Sequence, residues 1–241
     1  MATADEQLAL EYLSREYLLH INMIGPITRG TALILYTADN GVMIKETASG
    51  AFMISASSPD IGRRLVKEAY EMEPDAEMFL VHQSFMREIL KEHHPRANFR
   101  EVLTAAYLST DRLPTIPEMS IQTLDDNSVD IIMRHYSLGP SEEYIRGRIA
   151  AKDLFGAFVE GEMIGFGGIH AEGSLGMLEI FEEYRRMGYA TSVAGFGVNL
   201  QLDRGLVPFS CVKVENTPSI YMHKKLGFTM SDSSVWWLLL S

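Results

Sequence analysis

A turn between a strand and a helix holds the residues of this sequence that are best suited to bind a phosphorylated ligand. Leu178, Ile180 and Phe181 have the pattern of the end of a buried strand, and Gly188 opens a run that continues as a helix to about Arg204. A helix that begins at such a turn directs unpaired backbone N–H groups toward an anion. Glycine lets the chain approach a phosphate closely, and arginine adds positive charge. The predicted phosphate-binding residues are Arg185, Arg186, Met187, Gly188, Tyr189, Ala190 and Thr191.

A second segment combines a helix with the strand that follows it. Residues 216–228 read Asn-Thr-Pro-Ser-Ile-Tyr-Met-His-Lys-Lys-Leu-Gly-Phe. This segment resembles the Asn-x-x-(Ala/Ser)-Ile-x-x-Tyr-x-Lys-Leu-Gly-Phe pattern of the GNAT (GCN5-related) N-acetyltransferase superfamily. The turn Arg185-Arg-Met-Gly-Tyr-Ala190 resembles the Arg/Gln-x-x-Gly-x-Gly/Ala pattern of the same family. The two motifs occur in the family's order, so the resemblance is specific over roughly Met119 to Ser241.

The resemblance implies a fold and a coenzyme. The expected fold is α/β (α+β), the acyl-CoA N-acyltransferase fold, in which helices flank a mixed, mostly antiparallel sheet. Acetyl-coenzyme A is the implied co-substrate, and no metal is expected. The amides of the turn would hold the pyrophosphate, and the strand segment Leu178 to Phe181 would face the thioester. Asn216 would contact the pantetheine arm and Ser219 would also bind the coenzyme, although Asn216 could instead be a plain turn residue before Pro218.

The proton donor is where the sequence departs from the family. A tyrosine that protonates the leaving sulfur is usual three residues before the final Leu-Gly-Phe, and His223 occupies that position. Histidine can donate a proton near neutral pH, so His223 is a candidate catalytic residue. The alternatives are that His223 is a half-exposed helix residue and that Tyr221 or water supplies the proton.

The general base is less well defined by the sequence. Glu179 lies on the strand expected to meet the coenzyme, but strand alternation places it on the face opposite Leu178 and Ile180. Glu172 precedes that strand, near the position where many relatives have a glutamate, although the aligned residue is Ser174. Each glutamate could instead be a solvated carboxylate, and a water chain could take the proton.

The predicted function is direct transfer of an acetyl or other acyl group from coenzyme A to a primary amine of a small molecule or peptide. The alternative is a non-catalytic module that keeps the coenzyme fold for binding or sensing. The sequence does not identify the acceptor. A tandem arrangement similar to glycine N-acyltransferase and its relatives would favour an amino acid, and a homodimer is compatible with this expectation.

Composition restricts the partners and the compartment. The net charge of −11 argues against a nucleic-acid partner, which would require a basic surface. No apolar run reaches the length of a membrane span, and the first residues do not resemble a signal peptide. Cys211 is the only cysteine, so no intrachain disulfide can form, and a cytoplasmic location is expected.

Two lobes are expected, an N-terminal α/β lobe over 1–113 and the acetyltransferase domain over 114–241. The boundary is placed at the proline-containing linker Asp111 to Pro117. The order of elements in 32–108 is similar to that in 154–240, which suggests the hypothesis that the first lobe is a degenerate copy of the second. We also expect the first helix to end at Gly25-Pro26, Thr217 to cap the last helix, and Phe228 to Leu240 to form closing strands.

Overall fold

The computed structural model describes residues 3–136 and 141–239. Its helices are α1 (Ala4–Leu13), α2 (Tyr17–Arg29), α3 (Pro59–Met72), α4 (Phe85–His93), α5 (Val129–His135), α6 (Glu142–Ala150), α7 (Tyr189–Asp203) and α8 (Thr217–Lys225). Its strands are β1 (Ala32–Ala38), β2 (Gly41–Glu46), β3 (Phe52–Ala56), β4 (Met78–Val81), β5 (Phe99–Ala106), β6 (Met119–Thr123), β7 (Leu154–Val159), β8 (Glu162–Ile169), β9 (Leu175–Ile180), β10 (Phe209–Lys213) and β11 (Thr229–Leu239). Leu240, the predicted end of the closing strands, lies outside the described residues.

The chain forms two compact units that are not continuous in sequence. The first unit contains Met1–Ala106, Cys211–Tyr221 and Thr229–Ser241, and the second contains Tyr107–Ser210 and Met222–Phe228. These units differ from the predicted lobes, because segments near the C-terminus belong to the first unit. Whether 1–113 and 114–241 can fold separately stays a prediction.

The sheet of the first unit is completed by the last strand of the chain. Its strand order is β1-β2-β3-β4-β11-β5, with β1, β2 and β3 antiparallel and β3 parallel to β4. Strand β11 runs antiparallel to both neighbours: Trp236 is paired with Val81 of β4 on one side and with Glu101 of β5 on the other. Within residues 3–136 and 141–239, β4 and β5 are therefore joined through β11 and do not pair with each other.

Helices cover both faces of this sheet. Buried side chains of α1 and α2, such as Leu13 and Met23, share one cluster with Ile44 and Leu80. Those of α3 and α4 share a second cluster on the other face, which includes Phe52, Phe79 and Trp236. The start of α3 follows the sequence signals, because the Ser58 hydroxyl accepts the N–H of Ile61 and Pro59 is the first helical residue.

The predicted end of the first helix is wrong. Pro26 lies inside α2, and the helix ends at Arg29 with Gly30 in the left-handed conformation at φ 70°. A proline inside a helix costs about 3 kcal/mol, whereas fully burying an apolar side chain contributes roughly 1.5–3 kcal/mol. Ile24, Pro26 and Ile27 are all buried, so their burial offsets the missing hydrogen bond.

Two buried histidines of the first unit belong to one polar network. His20 contacts the Ser55 hydroxyl at 2.9 Å, His82 contacts Asn22 Oδ1 at 2.7 Å, and the two rings are 5.0 Å apart. Burial lowers the pKa of His20 to about 4. Burial and the neighbouring His20 lower the pKa of His82 to about 3. Both imidazoles are therefore neutral in the folded protein at neutral pH.

The sheet of the second unit has the order β9-β8-β7-β6, and all of its neighbours are antiparallel. On its other edge β9 is parallel to β10 and meets it at one registered pair, Leu175 with Ser210. Helices α5 and α6 pack on one face of this sheet, and α7 packs on the other. The predicted class, helices flanking a mixed and mostly antiparallel sheet, is confirmed.

The predicted linker is attached to α7. The N–H of Leu113 donates to Asn199 Oδ1 at 2.8 Å, and Asn199 Nδ2 donates back to the Leu113 carbonyl at 2.9 Å. The N–H of Ile116 donates to the Ser192 hydroxyl at 2.9 Å. The prolines exclude regular structure as expected, but side chains of α7 satisfy the freed backbone groups, so this segment is part of the second unit.

At two places along the chain an antiparallel run of strands leads to a helix and then to a strand parallel to the last one: β3, α3, β4 and again β9, α7, β10. This supports the hypothesis of a degenerate first copy, which stays a hypothesis.

Across the described ranges, no helix has both the length and the apolar character that crossing a membrane requires.

Candidate active site

Strand β9 has an irregularity two residues from its start. Met177 has a φ of +50°, and the register with β8 shifts between Phe166 and Gly168 at this point. Such a β-bulge interrupts the ladder and redirects the neighbouring backbone groups. In the part of the chain that the structure describes, β9 meets β10 at a single registered pair, so the edge of β9 beyond Leu175 can hydrogen-bond another partner.

The turn after β9 forms a concave group of backbone amides. Arg186 and Gly188 both have positive φ, at 67° and 86°, and Gly188 is the N-cap of α7. The N–H groups of residues 186–190 form no hydrogen bond within residues 3–136 and 141–239, and the first helical bond is donated by Thr191 to the Gly188 carbonyl. Successive free amides in alternating backbone conformations form an anion-binding nest, and the positive end of the helix dipole reinforces it.

Gly188 is open to solvent above this group of amides. A Cβ added there would have Ile116 Cδ1, at 4.0 Å, as its nearest neighbour. Tyr189 and Ala190 contact the core beneath α7, Thr191 is half-buried, and Met187 is 59% exposed. An anion could therefore approach residues 186–190 from solvent.

The two arginines of the turn have different roles. Arg185 Nε donates to the Ile180 carbonyl at 2.9 Å, and its guanidinium pairs with Glu179 at 2.8 Å. Arg185 thus fastens the turn to the end of β9, and Glu179 neutralises its charge. Arg186 is exposed and makes no ion pair within the described residues, so it is the arginine available to a phosphate.

The strand residues before the turn divide between the two faces of the sheet. Leu178 and Ile180 pack beneath α7. Phe181 packs in the cluster of α5 and α6, where its ring stacks on His135 with centroids 4.1 Å apart. These side chains are structural, so a ligand along this segment would meet the backbone of β9.

The start of α8 is capped by Asn216. Its Oδ1 accepts the N–H of Ser219 at 3.1 Å, and its carbonyl accepts the N–H of Ile220 at 3.0 Å. Asn216 therefore takes the capping role that was predicted for Thr217. Ser219 is half-buried in the first turn of α8.

His223 is more buried than a surface helix residue. Only 8% of it is exposed, and its ring meets Phe228 edge to face at 4.9 Å. Its carbonyl accepts the N–H of Phe228 at 3.0 Å. The interpretation of His223 as a half-exposed residue is therefore wrong, whereas its catalytic role stays a prediction. Tyr221, the alternative proton donor, is 71% exposed.

Glu172 lies in the turn between β8 and β9 and is 8% exposed. Its Oε1 accepts the Ser174 hydroxyl at 2.5 Å. The turn is further held by Gln201 of α7, whose side chain donates to the Gly173 carbonyl at 3.0 Å. Glu172 and Glu179 thus lie at opposite ends of β9, and the structure does not bring them together.

Three features of this region have no counterpart in the sequence patterns. These are the bulge at Met177, the contact of Tyr144 with His170, and the attachment of the linker to α7. The sequence signal for His170 is its place at the end of the strand predicted over Met163 to His170. Across the described ranges, histidine, cysteine, aspartate and glutamate form no group of three that could hold a metal ion.

Comparisons with known proteins agree with this geometry. The family model described as FR47-like protein matches residues 160–237, the region that contains β9, the turn and α8. None of the curated proteins compared with the chain matches it significantly.

Solved structures match the fold over nearly the whole chain. A Drosophila protein matches with a TM-score of 0.68 at 15% identity, covering 100% of this chain and 98% of its own. A GCN5-related N-acetyltransferase-like protein from Streptococcus suis matches with a TM-score of 0.58 at 14% identity, covering 96% and 99%. An acetyltransferase of the GNAT family from Colwellia psychrerythraea matches with a TM-score of 0.53 at 14% identity, covering 95% and 97%.

The mostly antiparallel sheet, its flanking helices and the turn before α7 define an acyl-CoA N-acyltransferase fold. Residues 160–237 match the FR47-like family model, and the fold of the chain is that of the GNAT acetyltransferases among the solved structures.

Proposed function

We propose that the protein transfers an acyl group, in the first instance acetyl, from coenzyme A to a primary amine. The observation that carries this proposal is the set of free amides at residues 186–190, next to the exposed Arg186. Amides in this arrangement select an anion, and the arginine favours phosphate over an uncharged ligand. The acetyltransferases among the structural neighbours support the acyl group as the cargo.

The residues of the second unit fit coenzyme A. The N–H groups of 186–190 and the Arg186 guanidinium would hold the pyrophosphate, because they have no competing partner within the described residues. The backbone of Leu178 to Phe181 would hydrogen-bond the pantetheine arm, because this edge of β9 lies beyond its single pair with β10. Asn216 and Ser219 stay predictions that rest on the family resemblance.

Direct transfer requires a neutral amine, a polarised carbonyl and a proton for the departing sulfur. Coenzyme A, when bound, supplies the acyl group as a thioester. In the transfer, the lone pair of the amine nitrogen forms the new C–N bond while the C–S bond breaks and leaves its electrons on sulfur. We assign to His223 the donation of a proton to that sulfur, and a base or water takes a proton from the nitrogen to complete the amide.

The acceptor is expected to be a small amine, an amino acid or the amino group of a peptide. The competing function is a module that binds an acyl-coenzyme A without transferring the acyl group. The non-catalytic function stays an alternative because His223 occupies the position where the family usually has a catalytic tyrosine.

Two assays test the proposal. The first measures the melting temperature with acetyl-coenzyme A, coenzyme A or inorganic pyrophosphate. We expect stabilisation by both coenzymes and a smaller effect of pyrophosphate, because the arm adds contacts along β9. The second measures thiol release from acetyl-coenzyme A with glycine, L-lysine, ethanolamine, putrescine and a short peptide. Stabilisation without amine-dependent thiol release from any acceptor would favour the non-catalytic module. No stabilisation by either coenzyme would overturn both functions.

A further inference from the structure

A pair of polar side chains in the second unit lies against β9 and has no role in the function proposed above. His170 directly follows β8, and Tyr144 belongs to α6. The Tyr144 hydroxyl and His170 Nδ1 are 2.9 Å apart, and the N–H of Ala171 donates to the same hydroxyl at 3.3 Å. Both side chains are half-buried, so the imidazole is fixed in place and still accessible from solvent.

The His170 ring rests directly on β9. A Cβ added to Gly176 would lie 2.6 Å from His170 Nε2 and 2.7 Å from Cδ2, so only glycine leaves room for the ring. The next residue is Met177, where the β-bulge interrupts the ladder. His170 Nε2 is therefore placed beside the irregular part of the strand.

The distance along β9 matches the length of the coenzyme arm. The pantetheine arm has about as many bonds between phosphate and sulfur as four residues of extended chain, which span roughly 13–14 Å. Arg185 fastens the phosphate-binding turn to Ile180, and four residues back from Ile180 is Gly176. If the pyrophosphate binds at residues 186–190, the sulfur reaches the level of Gly176 and His170.

The geometry points to His170 as the general base of the transfer, an inference that rests on the proposed function. An N–H bond of the acceptor ammonium breaks, its electron pair stays on the acceptor nitrogen, and the proton binds His170 Nε2. The nitrogen pair is then free to form the C–N bond. For Nε2 to accept this proton, the neutral imidazole must carry its own proton on Nδ1 and donate it to the Tyr144 hydroxyl oxygen.

The surroundings suit this role. Tyr144 contacts the ring directly, and the charged or titratable groups that act on Tyr144 are Glu172 of the same turn, Arg148 of α6 and Tyr136 after α5. Arg148 forms an ion pair with Asp153 at 3.2 Å, which neutralises its charge, and Glu172 adds a negative charge in the turn that contains His170. Burial and the charge of Glu172 raise the pKa of Tyr144, so its phenol stays neutral and keeps its oxygen available to Nδ1–H.

The two glutamates are less suitable bases. Glu179 is held in the ion pair with Arg185, so its carboxylate is already engaged by a cation. Glu172 is buried and accepts the Ser174 hydroxyl, so an acceptor amine has little access to it.

The first test needs no coenzyme. Long-range ¹H–¹⁵N correlation spectra of the protein alone give the tautomer of each neutral histidine, and His170→Gln identifies the His170 signals by their loss. We expect neutral His170 to carry its proton on Nδ1, and Tyr144→Phe to reduce this preference. A His170 that carries the proton on Nε2 cannot accept a proton there, and this result would overturn the assignment.

The second test compares two acceptors that differ in their need for a base. One is the most active alkylamine of the acceptor panel, which is protonated at neutral pH. The other is the alkoxyamine of the same chain length, which is already neutral. We expect His170→Gln to slow acetylation of the alkylamine about 10²- to 10⁴-fold and that of the alkoxyamine less than about tenfold. His93→Gln, an exposed histidine of the first unit, is the control and should change neither rate.

The outcomes separate this inference from the proposed function. His170→Gln could slow acetylation of both acceptors equally while acetyl-coenzyme A still raises the melting temperature as in the wild type. This result would show that His170 only supports the structure, and it would overturn the inference. Retention of both rates would overturn it as well. If the wild-type protein acetylates neither acceptor, the proposed function fails first, and the tautomer measurement then has no catalytic meaning.

Discussion

Two glycines with nearly the same backbone conformation allow the phosphate-binding turn to be tested with a matched control. Gly188 has a φ of +86° and Gly161, in the turn between β7 and β8, has a φ of +88°. A Cβ would meet only Ile116 Cδ1 at 4.0 Å at Gly188 and nothing within 4 Å at Gly161. Replacement by alanine therefore costs backbone strain at both sites, about 1–2 kcal/mol, with almost no steric clash. The two variants should lose similar stability, and their melting temperatures should fall by about 2–8 °C.

The ligand response should separate the two variants. When the acetyl-coenzyme A concentration is about 100 times the dissociation constant, the free energy of unfolding of the wild-type protein should rise by about 2.7 kcal/mol. An alanine at Gly188 either keeps the strained conformation or rotates an amide out of the nest. The loss of one hydrogen bond to a charged group weakens binding by about 1.5–3 kcal/mol, roughly 10- to 150-fold. At the same concentration the gain should then fall to about 0.3–1.4 kcal/mol.

The measurement is the melting temperature with and without acetyl-coenzyme A for wild type, Gly188→Ala and Gly161→Ala. We expect Gly161→Ala to keep the full ligand-induced shift and Gly188→Ala to lose half or more of it. An undiminished shift in Gly188→Ala would refute the assignment of residues 186–190 to the pyrophosphate. An equal reduction in both variants would attribute the effect to general destabilisation.

Three further perturbations test the catalytic acid, the histidine network and the division into units. His223→Phe should lower kcat about 10²- to 10⁴-fold and leave the coenzyme-induced shift in melting temperature unchanged. His223→Tyr should recover much of the rate. Near-normal turnover by His223→Phe would instead assign the proton donation to Tyr221 or water. The pKa values of His20 and His82, about 4 and about 3 in the folded protein against 6.5 ordinarily, mean that the unfolded chain binds more protons below pH 6.5. The free energy of unfolding should therefore be greatest above pH 6.5 and fall as the pH drops toward 4, by up to about 2 kcal/mol per histidine at pH 5. Denaturant unfolding at pH 8 and at pH 5 measures this change. Equal free energies of unfolding at the two pH values would contradict the argument. A chain that starts at Glu118 should elute as an aggregate in size-exclusion chromatography, because β11 then lacks its partners β4 and β5 and α7 lacks the linker. Co-expression with residues 1–117 should restore a soluble protein. A folded monomer of residues 118–241 would refute the argument.

The local elements of the fold could be predicted from the sequence. Ser58 with Pro59 marks the start of α3, and Glu160-Gly161 marks the turn between β7 and β8, because these signals act over a few neighbouring residues. The end of α2 was missed for the opposite reason. Burial of Ile24 and Ile27 in the tertiary core outweighs the local preference of Pro26, and a sequence pattern does not contain that burial.

The candidate site shows the same division. Gly188 could be predicted because a residue with positive φ at a helix start is a local requirement. The contact of Tyr144 with His170 could not, because it joins a helix to a turn 26 residues away and depends on how both pack on the sheet. The burial of His223 against Phe228 depends on the strand that follows α8, whereas the sequence placed the histidine only on a helix.

The position of β11 has a consequence for how the protein folds during synthesis. Strands β4 and β5 are made early, but the strand that joins them, residues 229–239, is made only after residues 107–228. Until then each of these strands has an unpaired edge, which is a template for aggregation. Contacts across such long sequence separations also slow folding. The first unit to be translated should therefore be the last to complete its sheet, and nascent chains should depend on chaperones until β11 inserts.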